Sequence, residues 1–129
     1  MFQVGNGTSS VATSNAFDVR ADGRNIQQIQ VLESQTQVLG AAGTIDSTRS
    51  YNKLNPAGNV STSAATAITA GLQTGQIIVL QNISAFTVTI KQAALTNNPG
   101  ALDFALTPNS TITYIFDGTN WTALNASGN

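Results

Sequence analysis

At 129 residues, 41% hydrophobic and 9% charged, the chain is long enough for one compact domain with an arm, yet it carries far less charge than the roughly 25% typical of soluble domains. A formal net charge of -1, with five basic residues scattered along the chain, gives no electrostatic footprint for nucleic acid or an anionic membrane. With neither His nor Cys, the commonest general base, the thiol nucleophile and most transition-metal ligands are missing, so no cofactor is expected and hydration rests on Thr, Ser, Asn and Gln.

The N-terminus, Met1-Phe2-Gln3-Val4-Gly5-Asn6, lacks the basic start and apolar run of a secretory signal. Phe2 and Val4, then Phe17 and Val19, alternate with polar residues, the period of half-buried strands. Asn6-Gly7 and Asp22-Gly23 supply turn positions with positive φ. Residues 1–24 therefore read as an extended arm or β-hairpin, with Phe2, Val4, Asn6, Asn15, Phe17 and Val19 as its docking side chains.

Residues 25–40 admit two readings. Ile29, Leu32, Thr36 and Leu39 fit a short heptad seam, and so a three-stranded coil, while Ile29-Gln30-Val31 fits a strand. The seam spans barely two heptads, so a strand or linker is favoured. Gly40-Ala41-Ala42-Gly43 then punctuates the chain.

From residue 41 to 129 short strands alternate with turn chemistry, predicting a small antiparallel β-sandwich or barrel, jelly-roll-like in style. The turns are Asn55-Pro56-Ala57-Gly58, Thr74-Gly75, Asn97-Asn98-Pro99-Gly100, Thr107-Pro108-Asn109 and Asp117-Gly118-Thr119-Asn120. Gln76–Asn82 holds four successive apolar residues and predicts a strand covered on both faces, with Ile77, Val79 and Leu80 in the core. Phe86, Val88 and Ile90 alternate with polar neighbours; so do Leu102, Phe104 and Leu106, and again Ile112, Tyr114 and Phe116. Asp117-Gly118 returns the chain into Trp121 as a closing hairpin, with Trp121 capping one end of the core. The run from Leu54 to Ile90 is interrupted by Asn, Thr, Ser and Gln too often to span a membrane.

Catalysis by paired carboxylates would have to draw on Asp18, Asp22, Glu33, Asp46, Asp103 and Asp117. Asp22 and Asp117 sit in Asp-Gly pairs, where the carboxylate serves the turn backbone, and a non-enzymatic protein is expected. Asp117–Asn120 has too few carboxylates for a calcium loop. Gly5-Asn6-Gly7 lacks the Lys-Ser/Thr of a phosphate loop. Phe86, Tyr114 and Trp121 have strand spacing, which makes them core before they are a sugar platform.

Phe2-Gln3-Val4-Gly5-Asn6-Gly7-Thr8-Ser9-Ser10, followed by Ser14-Asn15-Ala16-Phe17-Asp18-Val19-Arg20-Ala21-Asp22-Gly23, resembles the repeat of bacteriophage tail fibres and trimeric adhesin heads. It appears once, so a stacked head of such repeats cannot form. Gly71, Gly75–Asn82, Thr87–Ile90 and Tyr114–Trp121 resemble a β domain of phage fibre and head-decoration proteins. The resemblance implies a homotrimer. The size suits a capsid decoration or cement protein on the outer capsid surface of the virion, bound to the major capsid protein. The alternative is a tail-fibre or spike component that meets other tail proteins or a host surface glycan.

Overall fold

The computed structural model describes residues 32–124, together with the backbone of two short strands, β1 (Asp18–Val19) and β2 (Asn25–Ile26). The chain divides into two compact units, Met1–Val31 and Leu32–Asn129. In the first, β1 and β2 pair antiparallel, Asp18 opposite Ile26 and Val19 opposite Asn25. Of the arm residues, Phe2, Val4, Asn6, Asn15 and Phe17 lie outside the described residues, as does Ile29 of the heptad seam.

The second unit is the all-β sandwich that the turn spacing predicts. Its strands are β3 (Ser34–Gln37), β4 (Tyr51–Leu54), β5 (Val60–Ser61), β6 (Ile77–Asn82), β7 (Val88–Ile90), β8 (Thr96–Asn97), β9 (Phe104–Leu106), β10 (Thr111–Phe116) and β11 (Trp121–Ala123). One sheet has the order β3-β4-β6-β10-β11-β8 and the other β5-β7-β9. Thr36 and Leu39 of the heptad seam lie in or beside β3, so this part of the ambiguous stretch is a strand of the sandwich and the sheet begins upstream of Gly40.

The sheets are mixed rather than purely antiparallel. β3 with β4, β4 with β6, β5 with β7 and β8 with β11 run parallel. For two of these pairs the cause is visible in the order of elements: β4 lies in the larger sheet, β5 in the smaller, β6 in the larger and β7 in the smaller. Across these strands the chain arches from one sheet to the other, and two arches in succession restore the strand direction in β4 with β6 and β5 with β7, whereas β7 and β9 are antiparallel. Turn residues report that a chain reverses, not whether it re-enters the same sheet. The Asp117–Asn120 turn does stay within one sheet, pairing Phe116 with Trp121 and Ile115 with Thr122.

Between the sheets lies one core. Ile78 and Leu80 of β6, Ile112, Tyr114 and Phe116 of β10, and Leu54 of β4 face Val88 and Ile90 of β7 and Leu106 of β9. Leu39, Ile45, Ala67 and Ile68 join from segments held by isolated bridges, Gly43 to Thr62 and Ile45 to Ile68. Trp121 is fully buried, packs its ring 5.1 Å from that of Phe116 and donates its indole N–H to Thr69 O at 2.7 Å. Gly71 lies so close to Phe116 that a Cβ there would meet the ring at 2.4 Å, which is why only glycine fits.

Polar groups occupy the interior as well. Asn82, at the end of β6, donates from Nδ2 to Phe86 O at 2.6 Å and to Leu106 O at 2.9 Å, while its Oδ1 accepts from Ser84 N and Oγ. Asn98 donates to Ile90 O at 2.8 Å and accepts the Tyr114 hydroxyl at 2.7 Å. Each amide ties one sheet to the other. Among the described residues Thr96 Oγ1 is the one buried side-chain oxygen without a hydrogen bond.

Two substitutions follow with opposite signs. Asn82→Ala strips donors from two carbonyls and should cost about 2–4 kcal/mol. Thr96→Val removes a desolvated hydroxyl at constant shape and should gain about 1 kcal/mol. Urea unfolding of each full-length variant checks both, with the midpoint moving and the slope unchanged.

Candidate assembly surface

No described residues form a cluster of three or more metal-binding side chains, and the chemistry-bearing groups are spoken for. Asp103 accepts from Lys91 Nζ at 2.7 Å and from Gln92 N at 2.9 Å. Asp117 Oδ1 accepts the backbone N–H groups of Asn120 and Thr119, at 2.7 and 2.8 Å. Glu33 pairs with Arg49, and Asp46 accepts from the backbone and hydroxyl of Thr48. Asp18 lies in β1, and Asp22 lies outside the described residues. Each described carboxylate therefore has a structural partner.

What the fold leaves to the outside is the far face of the six-stranded sheet. Alternation fixes it: with Asn52, Ile78, Leu80, Ile112, Tyr114 and Phe116 turned inward, their neighbours along each strand must point out. Register then assembles rows. Ile77 lies opposite Ile115, which lies opposite Thr122. Tyr51, Val79 and Thr113 form the next row and Lys53, Gln81 and Thr111 the one beyond. Leu124, 54% exposed, donates its amide to Thr113 O beside them. The Tyr51 hydroxyl donates to Gln81 Oε1, which holds the ring down along β6.

This face carries Tyr51, Ile77, Val79, Ile115 and Leu124, and Lys53 is the one formal charge within its described strands. The face therefore mixes these apolar side chains with Gln81, Thr111, Thr113 and Thr122 and carries almost no charge.

The predicted core residues divide accordingly. Leu80, Val88, Ile90, Ile112, Tyr114, Phe116 and Trp121 are buried, and Phe104 is half-buried against the core. Ile77 is instead 46% exposed and Val79 half-buried. β6 is central in its sheet but covered on one face only, so an unbroken apolar run marks core on one side and surface on the other. The inward residue beside Leu80 is Ile78, two positions away and fully buried, in place of the expected Ile77 and Val79. Phe86 is 39% exposed at the β6–β7 arch, and Leu102 is exposed because the Pro99–Ala101 3₁₀ turn delays β9 to Phe104. Tyr114 and Trp121, fully buried, form no platform with Phe86. Val19 pairs with Asn25 through its backbone.

The family model of the phage depolymerase C-terminal beta sandwich domain matches residues 33–122, a span that begins beside β3 and ends within β11. No curated protein and no solved structure matches the chain.

The titrating groups give a pH profile. The hydrogen bond from Lys91, then that from Gln92, lowers the Asp103 pKa, while the amides of Asn120 and Thr119 lower that of Asp117. A depressed carboxylate stabilises the fold above its unfolded pKa, near 4, and that contribution disappears as pH falls through the folded value. Burial raises the Tyr114 hydroxyl, so its contribution is complete below about pH 10 and is lost above it. With no His or Cys side chain, melting temperature should be flat between about pH 5 and 9 and fall on either side. Asp103→Asn and Asp117→Asn should blunt the acid limb and Tyr114→Phe the alkaline one; a step near neutrality would contradict this.

Proposed function

This chain belongs to the family of phage depolymerase C-terminal β-sandwich domains, a component of the virion, and we propose that it serves there as a non-catalytic structural part of a tail spike or fibre, assembled as a homotrimer. The observation that carries this reading is the family match over the whole sandwich, residues 33–122. A depolymerase domain favours the tail over the capsid surface, and so favours other tail proteins over the major capsid protein as neighbours. The cement reading rested on chain size, which does not distinguish a small protein from one part of a larger assembly.

The non-catalytic part of the proposal is supported by the engagement of each described carboxylate with a turn or an ion pair. The assembly part is supported by the outer sheet face. Apolar side chains at Ile77 and Ile115, which are register partners, and at Val79 in the next row, with Lys53 the one formal charge beside them, gain about 25 cal/mol for each Å² removed from water. Copies of a chain with so little charge do not repel one another strongly.

Immunogold labelling of the phage particle decides location: label on the tail is expected, and label over the capsid would restore the cement reading. For assembly, light scattering of the full chain should give three times the monomer mass. A charge on the outer face, Ile77→Asp, should weaken self-association by roughly 10- to 100-fold while the far-ultraviolet circular dichroism stays unchanged. A trimer indifferent to Ile77→Asp and Ile115→Asp would move the interface to another face.

A further inference from the structure

The first strand of the sandwich lies at one edge of the larger sheet and is attached differently from the strands between the edges. In β3, Ser34 and Thr36 are exposed and Gln35 and Gln37 are half-buried, so no apolar side chain of the strand enters the core. Val38 follows at 77% exposure, and Leu39 is the first side chain of this segment to reach the interior. The strands between the two edges are anchored otherwise: β4 by Leu54, β6 by Ile78 and Leu80, β10 by Ile112, Tyr114 and Phe116 and β11 by Trp121.

Hydrogen bonds hold β3 instead. Tyr51 N donates to Glu33 O at 3.0 Å and Asn55 N to Gln37 O at 2.9 Å. Gln35 and Gln37, which alternate to the same face, both donate from Nε2 to Asn52 Oδ1, at 2.6 and 2.8 Å, and to Asp46 O, at 3.1 and 2.9 Å. Gln37 Oε1 accepts Asp46 N in return. Such bonds exchange against bonds to water with little net gain, whereas apolar burial has no counterpart in water. An element held by bonds alone at the edge of a sheet opens below the free energy of global unfolding.

We infer that β3 is a releasable strap, and that the β4 edge it covers accepts β3 from a second copy of the chain. Release opens the Tyr51 and Asn55 amides and Asn52 Oδ1, which is buried while β3 is in place. Water takes the vacated bonds, and the segment that fits the open edge is one that restores the same set. That set calls for an extended segment with two primary amides spaced two residues apart, which is the Gln35-Thr36-Gln37 of another copy. Exchange of an identical strand replaces every bond and adds none of the cost of a new interface. The inference stands on the sandwich geometry alone and is independent of the family reading.

Amide exchange tests the release without any substitution. The amides of Tyr51 in β4 and of Asn55 just past its end face β3, while on the other side of the same strand the Val79 amide donates to Ser50 O at 2.8 Å. In the full chain Tyr51 and Asn55 should exchange at least about tenfold faster than Val79. Equal rates would show that β3 opens only with the whole domain and would overturn the strap. The occupant is tested with cysteines, which the native chain lacks. Thr36 and Lys53 are register partners, so a Thr36→Cys copy mixed with a Lys53→Cys copy should form a disulfide between chains on mild oxidation. The double variant should close its own bridge and slow Tyr51 and Asn55 to the Val79 rate. A double variant that closes within the chain while the mixture gives no interchain bridge would overturn the exchange.

Discussion

The sandwich depends on buried side-chain amides that stitch its segments together. Its strands are two to six residues long, too short for hydrophobic alternation to fix register alone, and the chain has no disulfide. Asn82 closes the β6–β7 arch by holding Phe86 O and reaches Leu106 O on β9. Asn98 holds Ile90 O on β7 while the Tyr114 hydroxyl of β10 rests on its own oxygen. A displaced strand would leave these groups buried and unpaired, a cost of about 1–3 kcal/mol for each, so the amides penalise the wrong registers more than they reward the right one.

The same device recurs at Asn52, which gathers Gln35 and Gln37 and donates to Arg49 O at 2.8 Å. Here the amides act without apolar help, and the strand they hold is the least firmly attached. The contrast separates two jobs that polar interiors do. Between two sheets already brought together by Ile, Val and Leu, an amide specifies; at an edge without such burial, it is the attachment itself.

These features decide what could be read from the sequence. The alternation Ile112, Tyr114, Phe116 marks β10 because one face is dry and the other wet, and four of the five turn motifs fall outside strands, while the fifth overlaps β8 at Asn97. β3 was harder to see because Ser-Gln-Thr-Gln has no apolar period; its strand character comes from pairing with β4. Asn52, Asn82 and Asn98 counted as solvent-facing by composition, though Asn52 and Asn82 share the phase of Leu54 and Leu80 in their strands. The parallel pairs were hidden because arching into a second sheet is a tertiary outcome of burying both sides of a short connection. The outer face is half visible in the sequence: the apolar run Ile77–Leu80 holds more apolar residues than one core face takes up.

A core pinned by neutral groups makes the fold insensitive to the screening of charge. Screening acts on exposed charges, and the two ion pairs, Arg49 with Glu33 and Lys91 with Asp103, are exposed and of small worth. Burial of Ile, Val and Leu and the closed amide bonds are insensitive to it. A virion component meets media of widely different ionic strength between one host cell and the next. A chain that places uncharged amides where other domains place charges keeps the same sandwich throughout.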